Sequence, residues 1–124
     1  MYDHIGLRVR DLAASIRFYE AALAALDCSL GPRDDASAGF GPPGEPALWL
    51  YADPVATGGS GAHVAFRAAT RDAVDRFHAA GLDAGGRDNG AAGLRPDYGS
   101  AYYAAFLIDP DGNNVEAVCL AEAS

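Results

Sequence analysis

The chain has 124 residues, half of them apolar, with nine basic residues against seventeen acidic ones and a formal net charge of −8. That is the size of one domain, with enough apolar material for a core without disulfide staples, and no apolar run is long enough to span a bilayer. The acidic balance excludes nucleic acid as a partner, because phosphates need a basic footprint.

Taken in chain order, residues 2–9 alternate, with Ile5, Leu7 and Val9 on one face and Tyr2, His4, Gly6 and Arg8 on the other, which predicts a half-buried strand. Asp11 is placed as an N-cap, and Leu12, Ile16, Tyr19, Leu23 and Leu26 follow at helical spacing. Residues 27–52 predict three short strands, punctuated by Gly31-Pro32 and by Gly41-Pro42-Pro43-Gly44. The third reads ALWLYA, with Trp49 and Tyr51 on one face and Leu48 and Leu50 on the other. Residues 53–61, DPVATGGSG, form a Gly-rich joint. It is no phosphate loop, since no Lys follows and no helix starts directly after it.

A second strand over 62–68 then places His63, Ala65 and Arg67 on one face. Thr70 caps a second helix carrying Ala73, Val74, Phe77 and Ala80, with Gly81 as its stop. A weak strand is expected around 83–87 and a polar, Gly-rich loop over 88–100. Strands at 101–108 and 114–120 flank Asp109-Pro110-Asp111-Gly112, which has the residues of a type I turn. The opening MYDHIGLRV has neither the basic start nor the apolar stretch of a signal peptide. With Cys28 and Cys119 read as reduced, buried thiols, the expected compartment is the cytoplasm.

The order strand–helix–strand–strand–strand thus occurs twice, and the sequence repeats with it. Residues 4–23, HIGLRVRDLAASIRFYEAAL, lie over 63–82, HVAFRAATRDAVDRFHAAGL, without a gap. His4 falls on His63, Arg8 on Arg67, Phe18 on Phe77 and Leu23 on Leu82. A repeat of this kind constrains architecture more than local propensity does. It also puts two histidines at equivalent places in two modules, where packing about a pseudo-two-fold axis would let them meet.

Glu116 lies in the closing strand between Val115 and Ala117. A carboxylate in a core-forming strand is costly to bury unpaired, and a cation would relieve that cost. Two imidazoles and one carboxylate form a known facial set for Fe(II), with Zn, Mn and Ni as alternatives. His4, His63 and Glu116 are therefore the candidate ligands of a divalent metal ion. By strand parity Trp49, Tyr51, Tyr102 and Phe106 surround them, joined by Arg95 and Tyr98 from the loop, as a wall for a small-molecule ligand. Arg95 is a candidate for pairing an anionic group. Tyr102 and Tyr103 are adjacent, so only one can face the cavity. His78 falls on the second helix, where the first has Tyr19.

The repeat, the strand histidines, the Asp109-Pro110-Asp111-Gly112 turn and Glu116 resemble the vicinal-oxygen-chelate superfamily over essentially the whole chain. That group includes glyoxalase I, fosfomycin-resistance enzymes, extradiol dioxygenases and bleomycin-resistance proteins. The resemblance implies an α+β fold of two tandem βαβββ modules, 1–53 and 62–124, in one domain, with sheets curled around a cavity. It implies a homodimer, and it implies that His4, His63 and Glu116 hold the metal. The group's chemistry is Lewis-acid catalysis on substrate oxygens.

This chain has Trp49 where glyoxalase I has a carboxylate ligand. An indole neither binds metal nor shuttles protons, so a glyoxalase or epimerase reaction is not expected. Trp49 is similar to the tryptophan of the fosfomycin enzymes. Phe106, however, stands where those have a phosphonate-contacting Tyr, and Pro96–Ala101 does not match their cation-binding loop. Extradiol dioxygenases need a further catalytic histidine, and His78 is on a helix. The expectation is a metal-dependent enzyme acting on a small oxygenated or electrophilic molecule, with lyase, transferase and oxygenase chemistry left open. The alternative is a metal-free protein that sequesters drugs, of the bleomycin-resistance type.

Overall fold

The computed structural model describes residues 1–56 and 61–121. Strands β1 (Ile5–Val9), β2 (Ser29–Arg33), β3 (Ser37–Gly41) and β4 (Leu48–Ala52), with helix α1 (Leu12–Ala24) after β1, make the first module. The second repeats that order with β5 (His63–Arg67), α2 (Arg71–Asp83), β6 (Arg87–Leu94), β7 (Tyr103–Ile108) and β8 (Asn114–Cys119). Each module has its own four-stranded sheet, ordered β1-β4-β3-β2 and β5-β8-β7-β6. The first strand of each pairs in parallel with the last, since the helix carries the chain back across the sheet. The others pair antiparallel. This is the expected α+β architecture of two βαβββ modules, in two sheets that do not close on one another. β1 and β5 are edge strands.

The repeat is visible down to the caps. Asp11 accepts a hydrogen bond from the Ala14 amide at 3.1 Å, and Thr70 accepts one from the equivalent Ala73 amide at 3.1 Å. Phe18 and Phe77, paired by the repeat, are both fully buried. They belong to one apolar cluster with Val9, Leu23, Leu50, Val74, Leu107 and Val115, so the two modules share a core.

Two expectations are corrected. No strand starts at Asp83, because α2 runs to that residue. The strand is β6, on residues read as a loop. Its sequence RDNGAAGL has no β-branched or aromatic residue, and it pairs with β7 through two register shifts. Propensity therefore failed where ladder pairing to a well-formed neighbour won. Gly81 does not stop the helix. It lies inside α2, where an added Cβ would stand 2.3 Å from Leu107 Cδ1. Its role is close packing, and the left-handed turn comes four residues later, at Gly85 (φ 103°). Part of the Gly-rich joint, 57–60, lies outside the described residues.

The Asp109–Gly112 turn forms as expected, with the Gly112 amide donating to the Asp109 carbonyl at 3.0 Å. It also clasps the first module. Buried Asp109 accepts from the Tyr19 hydroxyl at 2.5 Å and from the Asn113 side-chain amide at 3.0 Å. Asp111 accepts from the Arg10 amide at 3.0 Å, from Arg10 Nε at 3.2 Å and from the Ser15 hydroxyl at 3.3 Å. Burial, followed by the charge of Asp109, pushes the Tyr19 phenol well above its ordinary range, so it stays a donor.

Candidate metal site

Glu116 sits on β8 with a relative exposure of 2%. The parallel register sets it beside Ala65 of β5, and the antiparallel register sets it beside Phe106 of β7. Residues two apart on a strand share a face, so His63 also looks across at Glu116. Its Nε2 lies 2.8 Å from Glu116 Oε1. On the other side the Tyr102 hydroxyl donates to Glu116 Oε2 at 2.5 Å. Removing a carboxylate from water costs several kcal/mol, and these two hydrogen bonds offset that cost. Burial, and then the bond to Glu116, push the Tyr102 phenol up to about 12.

His63, Tyr98, Tyr102, Phe106 and Glu116 line one recess of about 380 Å³. His63 is half exposed, at 51% of its side chain, while Glu116 forms the buried floor. Tyr98 packs edge-on against Tyr102, with ring centroids 5.3 Å apart. Tyr103, the neighbour of Tyr102, points the other way and donates to Asp75 of α2 at 2.6 Å.

His4, Trp49 and Tyr51 are elsewhere. His4 and Trp49 line a different recess, with Glu45 and Pro46. Tyr51 stacks on Trp49 at 6.5 Å and 15°. His4 is 53% exposed and its Nδ1 lies 2.7 Å from Asp3 Oδ1, which leaves Nε2 for another partner. A carboxylate on one ring nitrogen is the usual support of a histidine that binds metal through the other. Arg95 spends its guanidinium on the Gly93 and Ala91 carbonyls, at 2.9 and 2.7 Å, and packs over the Phe106 ring. That braces the wall rather than presenting charge to a ligand. His78 pairs with Asp88 at 2.9 Å, away from both recesses.

The nine candidate residues thus divide into two half-sites. One offers His63 and Glu116 as ligands, with Tyr102, Tyr98 and Phe106 around them and Arg95 behind Phe106. The other offers His4 with Trp49 and Tyr51. Among the described residues no three of His, Cys, Asp and Glu come together as a metal site. The donor set of the first half fits a divalent ion, since an imidazole nitrogen and a carboxylate oxygen already face each other across one gap. It is one protein ligand short of the three a catalytic metal site usually takes. Two features escaped the sequence reading. Asp3 orients His4, and its signal was adjacency alone. Tyr102 was read as wall but is tied to Glu116, and the cross-strand row through Phe106 pointed that way.

The register also aligns the modules step by step. Gly6 stands beside Trp49 where Ala65 stands beside Glu116, so Trp49 holds the place of Glu116. No described helix is long and apolar enough to cross a membrane.

Comparison with known proteins agrees with this fold. A crystallised glyoxalase/bleomycin resistance protein from Albidiferax ferrireducens is 31% identical, with a TM-score of 0.84 over 96% of this chain and 98% of its own. A mutant of glyoxalase I from Zea mays is 27% identical with a TM-score of 0.73, and the match takes 94% of this chain but 46% of the maize one. A glyoxalase-related enzyme from Fulvimarina pelagi shares the fold at 20% identity and a TM-score of 0.75. No curated protein matches. Residues 2–117 match the family model, and the chain belongs to the Glyoxalase/Bleomycin resistance protein/Dioxygenase superfamily.

Proposed function

We propose that the protein is a cytoplasmic, divalent-metal-dependent enzyme whose site is assembled from two copies of the chain. His63 and Glu116 of one copy and His4 of the other hold the ion. The observation that carries this reading is the His63–Glu116 pair, 2.8 Å apart over a recess with a buried carboxylate floor. The division into complementary half-sites supports the second copy, as does the position of β1 and β5 at sheet edges, where strands are open to further neighbours. The maize enzyme, in which this chain's match fills less than half of one polypeptide, is consistent with two such units working together.

The ion, when bound, supplies a Lewis acid for neighbouring substrate oxygens. The chain's own residues do the rest. Once the proton between them is lost, His63 Nε2 and Glu116 Oε1 would offer their lone pairs to the ion. Phe106 and Tyr98 exclude water from one side, and Trp49 and Tyr51 of the second copy form a flat aromatic wall on the other. That arrangement suits a small oxygenated or electrophilic molecule, taken by lyase, transferase or oxygenase chemistry. The net charge of −8 and the Trp49–Tyr51 stack favour one rival, a metal-free binder of cationic aromatic drugs.

A mixing experiment tests the reading. His4→Ala and Glu116→Ala chains, each alone, bind no Mn²⁺ or Ni²⁺. Co-refolded in equal amounts, they recover about a quarter of the wild-type metal, because half the dimers are mixed and each has one intact site. A mixture that binds no more than the separate variants sinks the shared site. Wild-type protein, purified without a His tag, that binds no divalent ion and gains no thermal stability from one favours the drug binder.

A further inference from the structure

We infer that Tyr102 is a positioning residue for Glu116, fixing which carboxylate oxygen is presented to the ion. The inference rests on the metal reading above and goes beyond it. The geometry divides the two oxygens of Glu116 between two partners. Oε1 faces His63 Nε2 at 2.8 Å, and Oε2 accepts from the Tyr102 hydroxyl at 2.5 Å. A carboxylate held in this way offers one oxygen on the imidazole side and keeps the other engaged. The side chain is almost fully buried, so water does not compete for Oε2, and Tyr98 packed edge-on against the Tyr102 ring restrains the donor.

The duplication supplies an independent argument. Phe106 is the β7 partner of Glu116, and Gly39 is the β3 partner of Trp49. Counting four residues back from Phe106 reaches Tyr102, and the same count from Gly39 reaches Asp35. The first module, which has no carboxylate at the Glu116 position, has no tyrosine at the Tyr102 position either. Tyrosine and carboxylate occur together where the ion is expected and are absent together where it is not.

Outer partners of metal ligands characteristically change affinity about 10–100-fold when removed. The test compares Tyr102→Phe with Tyr103→Phe, using Co²⁺ as the probe. Both substitutions delete one tyrosine hydroxyl bonded to a carboxylate, but Tyr103 donates to Asp75 on the helix side and serves as a matched control. In Tyr102→Phe, Co²⁺ affinity should fall about 10–100-fold and the visible Co²⁺ spectrum should change, because Oε2 is released to the ion. Tyr103→Phe should keep both wild-type values, and it should lose less thermal stability without metal, because its bond to Asp75 is exposed. Wild-type affinity and spectrum in Tyr102→Phe, or an equal loss of affinity in Tyr103→Phe, overturns the inference while leaving the metal site standing. Wild-type protein that binds no Co²⁺ overturns the metal reading and this inference with it.

Discussion

At one step across the second sheet stand Ala65, Glu116 and Phe106; at the same step across the first stand Gly6, Trp49 and Gly39. Backbone and register agree, but the side chains do not. In the second module the central residue is a carboxylate flanked by a phenyl ring. In the first it is an indole lying over a glycine, whose added Cβ would sit 3.0 Å from the Trp49 ring. Both arrangements fill one pocket-facing strip with one bulky ring, moved by one strand. The repeat keeps the scaffold and exchanges which position holds volume and which holds charge.

The largest test of this contrast exchanges the central residues for alanine. With a divalent ion at a hundred times its dissociation constant, wild type should gain about 2.7 kcal/mol, or about 10 °C in melting temperature for a chain of this length. Glu116→Ala should lose that gain entirely in a thermal-shift titration. Trp49→Ala should keep it. Equal loss in both variants would mean the two positions do not differ in role.

A second pair lies on the helices, where Tyr19 and His78 are equivalent. Tyr19 meets a buried aspartate in the other module, and His78 meets the exposed Asp88 in its own. Tyr19→Phe leaves Asp109 one donor short and should cost about 1–3 kcal/mol in urea unfolding. His78→Phe should cost less than about 1 kcal/mol. The same contrast sets the alkaline limb. Tyr19 has a folded-state pKa above its unfolded value, so its stabilising contribution is full below about 10. It is lost as pH rises through the folded value, where the folded chain holds the extra proton. Wild type should therefore weaken above about pH 10, and Tyr19→Phe should weaken less steeply. Parallel curves would remove Tyr19 from the account.

The smallest effect concerns Gly6, whose counterpart Ala65 already has a Cβ. A Cβ at Gly6 would fall 2.7 Å from Tyr51 Cε2, and the Tyr51 ring is exposed enough to swing aside. Gly6→Ala should change stability by no more than about 0.5 kcal/mol but should shift Trp49 fluorescence as the stack opens. An unchanged emission spectrum would show that the stack does not depend on that glycine.

The scaffold was legible because its signals are local and doubled. Alternation in 5–9 and 63–67, the caps Asp11 and Thr70, and the Asp-Pro-Asp-Gly turn each specify their own backbone, and the ungapped repeat ties them together. β6 was not legible, because Arg87–Leu94 becomes a strand only through its pairing with β7. Of the site, the pairing of His63 with Glu116 followed from strand parity. Parity says which way His4 points on its strand, but not which module it will face. The place of Arg95 was hidden for a similar reason, since nothing in a loop arginine reveals that nearby backbone carbonyls will claim it.

The clasp of Asp109 and Asp111 on Arg10, Ser15 and Tyr19 joins residues 90 to 101 positions apart. During synthesis α1 emerges early, carrying a tyrosine hydroxyl and a serine that are buried in the finished protein. Their partners, Asp109 and Asp111, are made only 90 and 96 residues later. Until then the first module has polar groups with nowhere dry to go, so it cannot complete its packing ahead of the second. The duplicated halves must therefore mature together, as one cooperative folding unit of high contact order.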